Sequence, residues 1–324
     1  MSDKISCPIC PHHCSLAENQ TGICGARIAR NGQVVPVDDG ILSAIHVDPI
    51  EKKPLNHYLP GCGALSLGSF GCNLKCKGCQ NDSISQVPVS RARGFKLTPD
   101  QIVSEARHYR CPVIAYTYNE PIVWAEFVQK TAITAHAHGL KNVMVTAGYV
   151  APESRDSLFE HIDAANVDLK GFTEDFYRSW ANASLKPVLE TLEYLHRKPG
   201  FWLEITTLLI PGINDDPDSL KAEFDWIAQK LGPDVPVHLS AFHPAHRAMD
   251  IPRTPVETIL MAKNLAVQSG LHYIYPGNVP VPSDTRCPGC TNIVIRRFGF
   301  QTEISGMREG ICSHCGQKIA GVWN

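Results

Sequence analysis

The chain has 324 residues, 44% of them hydrophobic and 19% charged, with a formal net charge of −2. That composition supplies a full core, gives no global attraction to nucleic acid or anionic lipid, and contains no apolar run long enough to span a bilayer. One barrel of roughly 200–250 residues with terminal extensions accounts for the length.

The opening "MSDKIS" lacks the basic start and apolar segment of a secretory signal, so the thirteen cysteines are expected in a reducing cytosol. Metal-ligand spacing, not disulfide pairing, should then explain them. Cys7, Cys10, Cys14 and Cys24 come first, with His12 and His13 between them. Four thiolates can close a zinc site, and "CPIC" followed by a further cysteine could also grip an iron–sulfur cluster; zinc is the preferred reading. Cys62 in "LPGCGALSLG" reads as a buried or loop thiol, and Cys111, at the start of an apolar run, as a small buried hydrophobe.

From residue 64 onward, short apolar runs alternate with helical patterns. The expected strands are "ALSLGSF", "PVIAYTY", "NVMVTA", "AANVDL", "FWLEITTLLI", "VPVHLSAF" and "LHYIYP". Between them Thr98-Pro99, Asp216-Pro217 and Thr254-Pro255 each offer a capping side chain followed by proline at the first helical position, and Gly139, Gly232 and Gly270 close helical stretches. Strands spaced by helices imply parallel pairing, hence a full or partial (β/α) barrel whose chemistry gathers at the C-terminal strand ends.

Those ends carry the polar residues. "ALSLGSF" runs into "GCNLKCKGCQN", which holds Cys72, Cys76 and Cys79. Structural zinc takes four protein ligands, whereas a cubane iron–sulfur cluster on three thiolates keeps one iron open to an outside ligand. Asn119-Glu120-Pro121, Thr146-Ala147-Gly148, Asp168-Leu169-Lys170 and His243-Pro244 follow the later strands. Singly, Glu120 reads as a helix cap, Asp168 and Lys170 as an ion pair, and His243 as a loop histidine. Their coincidence at successive strand ends beside one cysteine loop favours a functional site.

Beyond the barrel, Cys287-Pro-Gly-Cys290 and Cys312-Ser-His-Cys315 flank the β-rich "TNIVIRRFGFQTEI". Paired C-x2-C knuckles read as a zinc ribbon, with a second iron–sulfur cluster as the sharper alternative. The alternation in "IVIRRF" suggests a hairpin with Val294 and Ile295 on opposite faces. Residues 1–60 are thus expected to form a cysteine-rich extension, 61–280 the barrel and 281–324 the ribbon.

The spacing C-x3-C-x2-C at Cys72, Cys76 and Cys79 resembles the radical S-adenosylmethionine (SAM) superfamily. "CQN", "NEP", "DLK", "IPGINDD" and "FHP" are similar to its activating-enzyme branch, the relatives of pyruvate formate-lyase activating enzyme. The opening "CPICPHHCSLAENQTGICGAR", "HVDPIEKKPLNHYLPG" and "GICSHCGQKIAGVW" look closest to the radical SAM member of the AmmeMemoRadiSam system. The resemblance implies a [4Fe–4S] cluster on the three thiolates, SAM on its open iron, and a 5′-deoxyadenosyl radical that takes hydrogen from a substrate. It further implies SAM contacts from Asn119, Glu120, Thr146, Gly148, Asp168, Lys170 and His243, and an electron donor of flavodoxin or ferredoxin type. A protein substrate is favoured over a small molecule; nucleic acid and membrane are disfavoured. A non-catalytic electron carrier or zinc interaction protein is the reading from another class, and it leaves the strand-end residues unexplained. Two positions depart from the pattern. Gly78 stands where many members carry an aromatic residue against adenine, and Ala147 where close relatives have asparagine.

Overall fold

A computed structural model describes residues 4–324. Its centre is one eight-stranded sheet whose spatial order follows the chain: β1 (Ala44–Pro49), β2 (Gly63–Gly68), β3 (Val113–Tyr116), β4 (Lys141–Thr146), β5 (Ala164–Asp168), β6 (Trp202–Leu209), β7 (Val237–Ala241) and β8 (Ile274–Gly277). β2 to β8 pair in parallel, each with the next, and β1 pairs antiparallel along the free edge of β2. β1 and β8 do not pair, so the fold is a partial (β/α) barrel. The seven parallel strands match the expected runs. β1 does not, and it lies inside the stretch set apart as an N-terminal extension. Its burial pattern mixes exposed and buried residues, the mark of an edge strand with one face in solvent.

The helices α1 (Pro99–His108), α2 (Ala125–Ala137), α3 (Arg155–Phe159), α4 (Lys186–Arg197), α5 (Pro217–Lys230) and α6 (Val256–Gln268) fill the crossovers. Thr98 forms a capping box with Gln101, and the Asp216 side chain accepts from the Ser219 N–H. Thr254 is not a cap. α6 begins at Val256, and the Thr254 hydroxyl donates to the Leu209 carbonyl while accepting from the Phe242 N–H, tying the ends of β6 and β7 together. Gly139, Gly232 and Gly270 follow helix ends with φ of +74°, +87° and +89°, conformations that side chains with a Cβ resist. Among the described residues no helix is long and apolar enough to cross a membrane.

The two termini dock at opposite ends of the barrel. N-terminal residues form two small antiparallel pairs, Ile5–Ser6 with Ser15–Leu16 and Arg27–Arg30 with Gln33–Pro36, beside the C-terminal strand ends. The C-terminal tail forms a three-stranded sheet from Thr285–Arg286, Ile293–Phe298 and Gln301–Ile304. Its own core of Cys287, Val294, Ile295, Met307, Cys312 and Ile319 packs on Tyr273 and Tyr275 at the barrel base. Val294 and Ile295 are both fully buried, so the strand is covered on both faces at these two residues.

A carboxylate joins tail and barrel. Glu204, near the start of β6, accepts from the backbone N–H groups of Asn56 and His57 (2.9 and 2.7 Å), from Trp202 Nε1 (3.0 Å) and from His238 Nε2 (2.7 Å). His57 in turn bonds the Ala320 carbonyl and the Tyr275 hydroxyl, and Arg297 reaches the Asn56 carbonyl. With four donors converging on it, this buried carboxylate is satisfied and held ionised.

Candidate active site

The cysteine loop leaves β2 at Ser69 and is fixed by its backbone at every step. Asn119 accepts from the Ser69 N–H and donates to the Gly71 carbonyl, each at 2.9 Å. Gly71 has a φ of +84°, and a Cβ there would stand 2.5 Å from the Cys24 carbonyl oxygen, so glycine is required. The N–H groups of Lys75 and Lys77 donate to the carbonyls of Ala181 and Trp180, and the Arg247 N–H donates to the Lys77 carbonyl. The amide of Asn119 is thus spent on positioning the loop, although the residue also lines the cavity below it.

That cavity, of about 570 Å³, opens at the C-terminal strand ends. Cys72, Cys76 and Cys79 line it together with Glu120, Thr146, Asp168 and Lys170. His243 and Gly148 do not. Ser240, before His243 on the same segment, and Asn278, after β8, reach the cavity instead, and Gly148 turns its N–H back to the Thr146 hydroxyl at 3.1 Å. A groove of similar volume along α3 and α4 is lined by ion-paired residues such as Arg155 and Glu190, with no C-terminal strand end among its lining.

The charges in the cavity are set by their neighbours. Glu120 accepts from the Thr146 hydroxyl (2.5 Å) and the Ala147 N–H (2.8 Å); burial pushes its carboxyl above the ordinary range despite both bonds. Lys170 pairs with Asp168 at 2.7 Å. Burial opposes its charge, but Asp168 outweighs burial and holds the ammonium above its usual value. Burial pushes Cys76 up to about 11 and Cys72 well above its ordinary value. Thiols in this setting ionise when a metal displaces their protons, which fits a ligand set better than a free nucleophile.

The missing aromatic residue at Gly78 has a steric cause. A Cβ there would stand 2.7 Å from Phe242 and 3.0 Å from Trp180. Trp180 stacks on Phe176, with ring centroids 6.2 Å apart and planes 19° apart, and both rings line the cavity. Sequence reading missed this pair. Nothing in "DFYRSW" distinguishes an aromatic wall from ordinary core, and a π-helical turn over Tyr177–Ala181 brings Trp180 to the loop.

The remaining cysteines divide by spacing. The Sγ atoms of Cys287, Cys290, Cys312 and Cys315 lie within 4.8 Å of one another, and among the described residues no other group of three or more candidate ligands is so close. Tetrahedral zinc at about 2.3 Å from each sulfur requires this compactness. Cys72, Cys76 and Cys79 stand wider apart, as do Cys7, Cys10, Cys14 and Cys24.

Comparison with known proteins agrees with the cavity's chemistry. The Radical SAM superfamily model matches residues 67–222, the span from β2 into α5. An uncharacterized protein of Methanocaldococcus jannaschii, MJ0808, is 42% identical over 98% of this chain and 95% of its own length. A second protein of that organism, MJ1632, named as a proposed glycyl-radical enzyme activating enzyme, is 25% identical over 63% of this chain and 77% of its own. The crystal structure of a radical SAM methyltransferase from Sphaerobacter thermophilus shares the fold, with a TM-score of 0.52 at 16% identity over 68% of each chain. With the three-cysteine loop at the end of β2 inside the matched span, the chain belongs to the radical SAM superfamily and is an enzyme of that class.

Proposed function

We propose that Cys72, Cys76 and Cys79 hold a [4Fe–4S] cluster and that SAM binds in the cavity beneath the loop. The observation that carries this reading is the meeting of three half-buried thiols, none in a disulfide, with Glu120, Asp168 and Lys170 from two other strand ends in one cavity. When bound, the group supplies one-electron reductive cleavage of SAM and a 5′-deoxyadenosyl radical that takes hydrogen from substrate. The protein's residues position and insulate. Lys170, kept cationic by Asp168, pairs with the cofactor's carboxylate, and Thr146 and Glu120 fix the strand end beside its amine. Phe176 and Trp180 offer the flat apolar wall for adenine that Gly78 cannot.

The substrate is proposed to be a protein, in the manner of activating enzymes; the likeness to MJ1632 and the activating-enzyme motifs support that, as they support a flavodoxin- or ferredoxin-type donor. The resemblance to the AmmeMemoRadiSam member is offered on its motifs alone. At the base, Cys287, Cys290, Cys312 and Cys315 are proposed to close a zinc site that stabilises the tail.

In anaerobically reconstituted protein Cys76→Ala should abolish 5′-deoxyadenosine formation under strong reductant; undiminished cleavage would sink the assignment. Lys170→Met should weaken SAM binding at least tenfold by equilibrium dialysis while iron content and melting stay near wild type.

A further inference from the structure

The four N-terminal cysteines are not used by the site described above, and their placement is unlike that of the four at the base. Cys7, Cys10 and Cys24 are 6%, 7% and 8% exposed, and Cys14 is half-buried. The Cys7 N–H donates to the Cys14 carbonyl, the His13 N–H donates to the Cys10 carbonyl, and Cys14 Sγ lies against Gly22, two residues before Cys24. All four thiols are free, yet no three of them come within 4.8 Å. Zinc at about 2.3 Å from four sulfurs places those sulfurs roughly 4 Å apart, as at the base. A multi-iron cluster holds its thiolates wider, and Cys72, Cys76 and Cys79 share the wider spacing.

One buried donor beside these thiols lacks a partner. Arg27, 3% exposed, lies close to Cys7 and Cys24. Its terminal nitrogens bond Glu126 (2.8 and 2.6 Å) and the Val34 carbonyl (3.2 Å), but its buried Nε has no acceptor. An orphaned buried donor costs stability unless a ligand answers it, and an anionic cluster with bridging sulfides can accept from a donor that stands beside its thiolates.

The group also touches the catalytic loop through its backbone. The Cys72 N–H donates to the Cys24 carbonyl at 3.2 Å, and His12 Nε2 bonds the Asn73 carbonyl at 2.9 Å. We propose that Cys7, Cys10, Cys14 and Cys24 hold a second iron–sulfur cluster, which passes electrons singly from a low-potential donor protein to the cluster proposed on Cys72, Cys76 and Cys79. Each transfer oxidises the donor by one electron and reduces the N-terminal cluster by one, which then returns to its oxidised state as the catalytic cluster is reduced. No bond is made or broken and no proton moves. Four cysteine ligands leave no iron open, so the N-terminal cluster carries electrons and does not bind SAM. The relay rests on the function proposed above; the cluster itself does not.

The test uses full-length protein reconstituted without oxygen. Wild type should hold about eight irons per chain, and the triple variant Cys72→Ala, Cys76→Ala, Cys79→Ala about four, with a reduced-state paramagnetic signal that SAM leaves unchanged. Adding Cys14→Ala to the triple variant should remove that iron and signal. In otherwise wild-type protein, Cys14→Ala should lower the ratio of cleavage driven by flavodoxin to cleavage driven by dithionite at least tenfold. A triple variant without iron but with a second zinc would overturn the proposal, as would iron that survives Cys14→Ala. If the triple variant keeps its four irons while wild type fails to cleave SAM, the N-terminal cluster stands and the catalytic reading falls.

Discussion

At the base of the barrel, Cys287, Cys290, Cys312 and Cys315 crowd within 4.8 Å of one another in a tail with its own hydrophobic core. At the mouth, Cys7, Cys10 and Cys24 are more uniformly buried but stand apart, and Cys10 and Cys24 belong to the barrel's own core. The first arrangement suits one ion that replaces core where core is scarce. The second suits a larger group inserted where core is already present. Cysteine number is equal in the two regions, so spacing and surroundings carry the distinction.

Removing metal from the base should have the largest effect, because structural zinc contributes about 10–16 kcal/mol in small zinc-dependent folds. Cys312→Ala, or chelation of wild type, should expose residues 281–324 to hydrogen exchange while β2 to β8 keep their protection. Loss of protection across the whole sheet would mean that tail and barrel are one folding unit and that the comparison has been drawn too sharply.

Next in size is Glu204→Ala, which strands the N–H groups of Asn56, His57 and Trp202 together with His238. Breaking a buried charged cluster costs about 3–5 kcal/mol, read as a shift in urea midpoint. Iron content should not change, since the carboxylate stands at the opposite end of the strands from the cysteine loop.

Sequence pattern revealed one end of this molecule better than the other. The seven parallel runs were legible because strands in a parallel sheet are buried on both faces and read as continuous apolar stretches. β1 was hidden by its half-exposed edge position. Glu120, Asp168 and Lys170 were legible because they end strands that could be seen. His243 does not line the cavity: chain position alone does not tell which way a loop residue after β7 turns. Glu204 was invisible: a glutamate inside "FWLEITTLLI" has no pattern that announces its donors, three of which come from the distant residues 56, 57 and 238. The dull and functional readings of Asp168 and Lys170 also proved compatible, since the ion pair between them is what keeps Lys170 charged.

A third effect is pH-dependent and belongs to the base. Burial pushes the His57 ring down to about 4, with Glu204 opposing and Arg297 and His238 reinforcing that shift. The neutral ring suits its partners: Nδ1–H donates to the Ala320 carbonyl, which can only accept, and Nε2 accepts from the Tyr275 hydroxyl. The unfolded ring titrates near 6.5, so this contribution is complete above that pH and is lost as pH falls toward 4. At pH 5.5 the loss is about 1 kcal/mol, to be measured as a lower melting temperature with zinc content unchanged. His57→Gln, which cannot take a proton, should remove that part of the acid slope.

The smallest prediction decides what the others mean. Metal retention can report a local site, or it can report the stability of the whole chain, since any group bound only by the folded state is lost when folding weakens. Thr98 lies at the start of α1 and contributes to neither cysteine quartet, and its hydroxyl caps the helix while Gln101 returns the bond to the Thr98 N–H. Thr98→Ala should cost about 1 kcal/mol by loss of that cap, close to the acid effect at His57. Iron and zinc per chain should stay at wild-type values after anaerobic gel filtration. If iron alone falls, the cysteines at the mouth depend on barrel stability while the base keeps its own, and the contrast sharpens. If both metals fall together, the two quartets share one cooperative fold and their difference in spacing no longer implies independence.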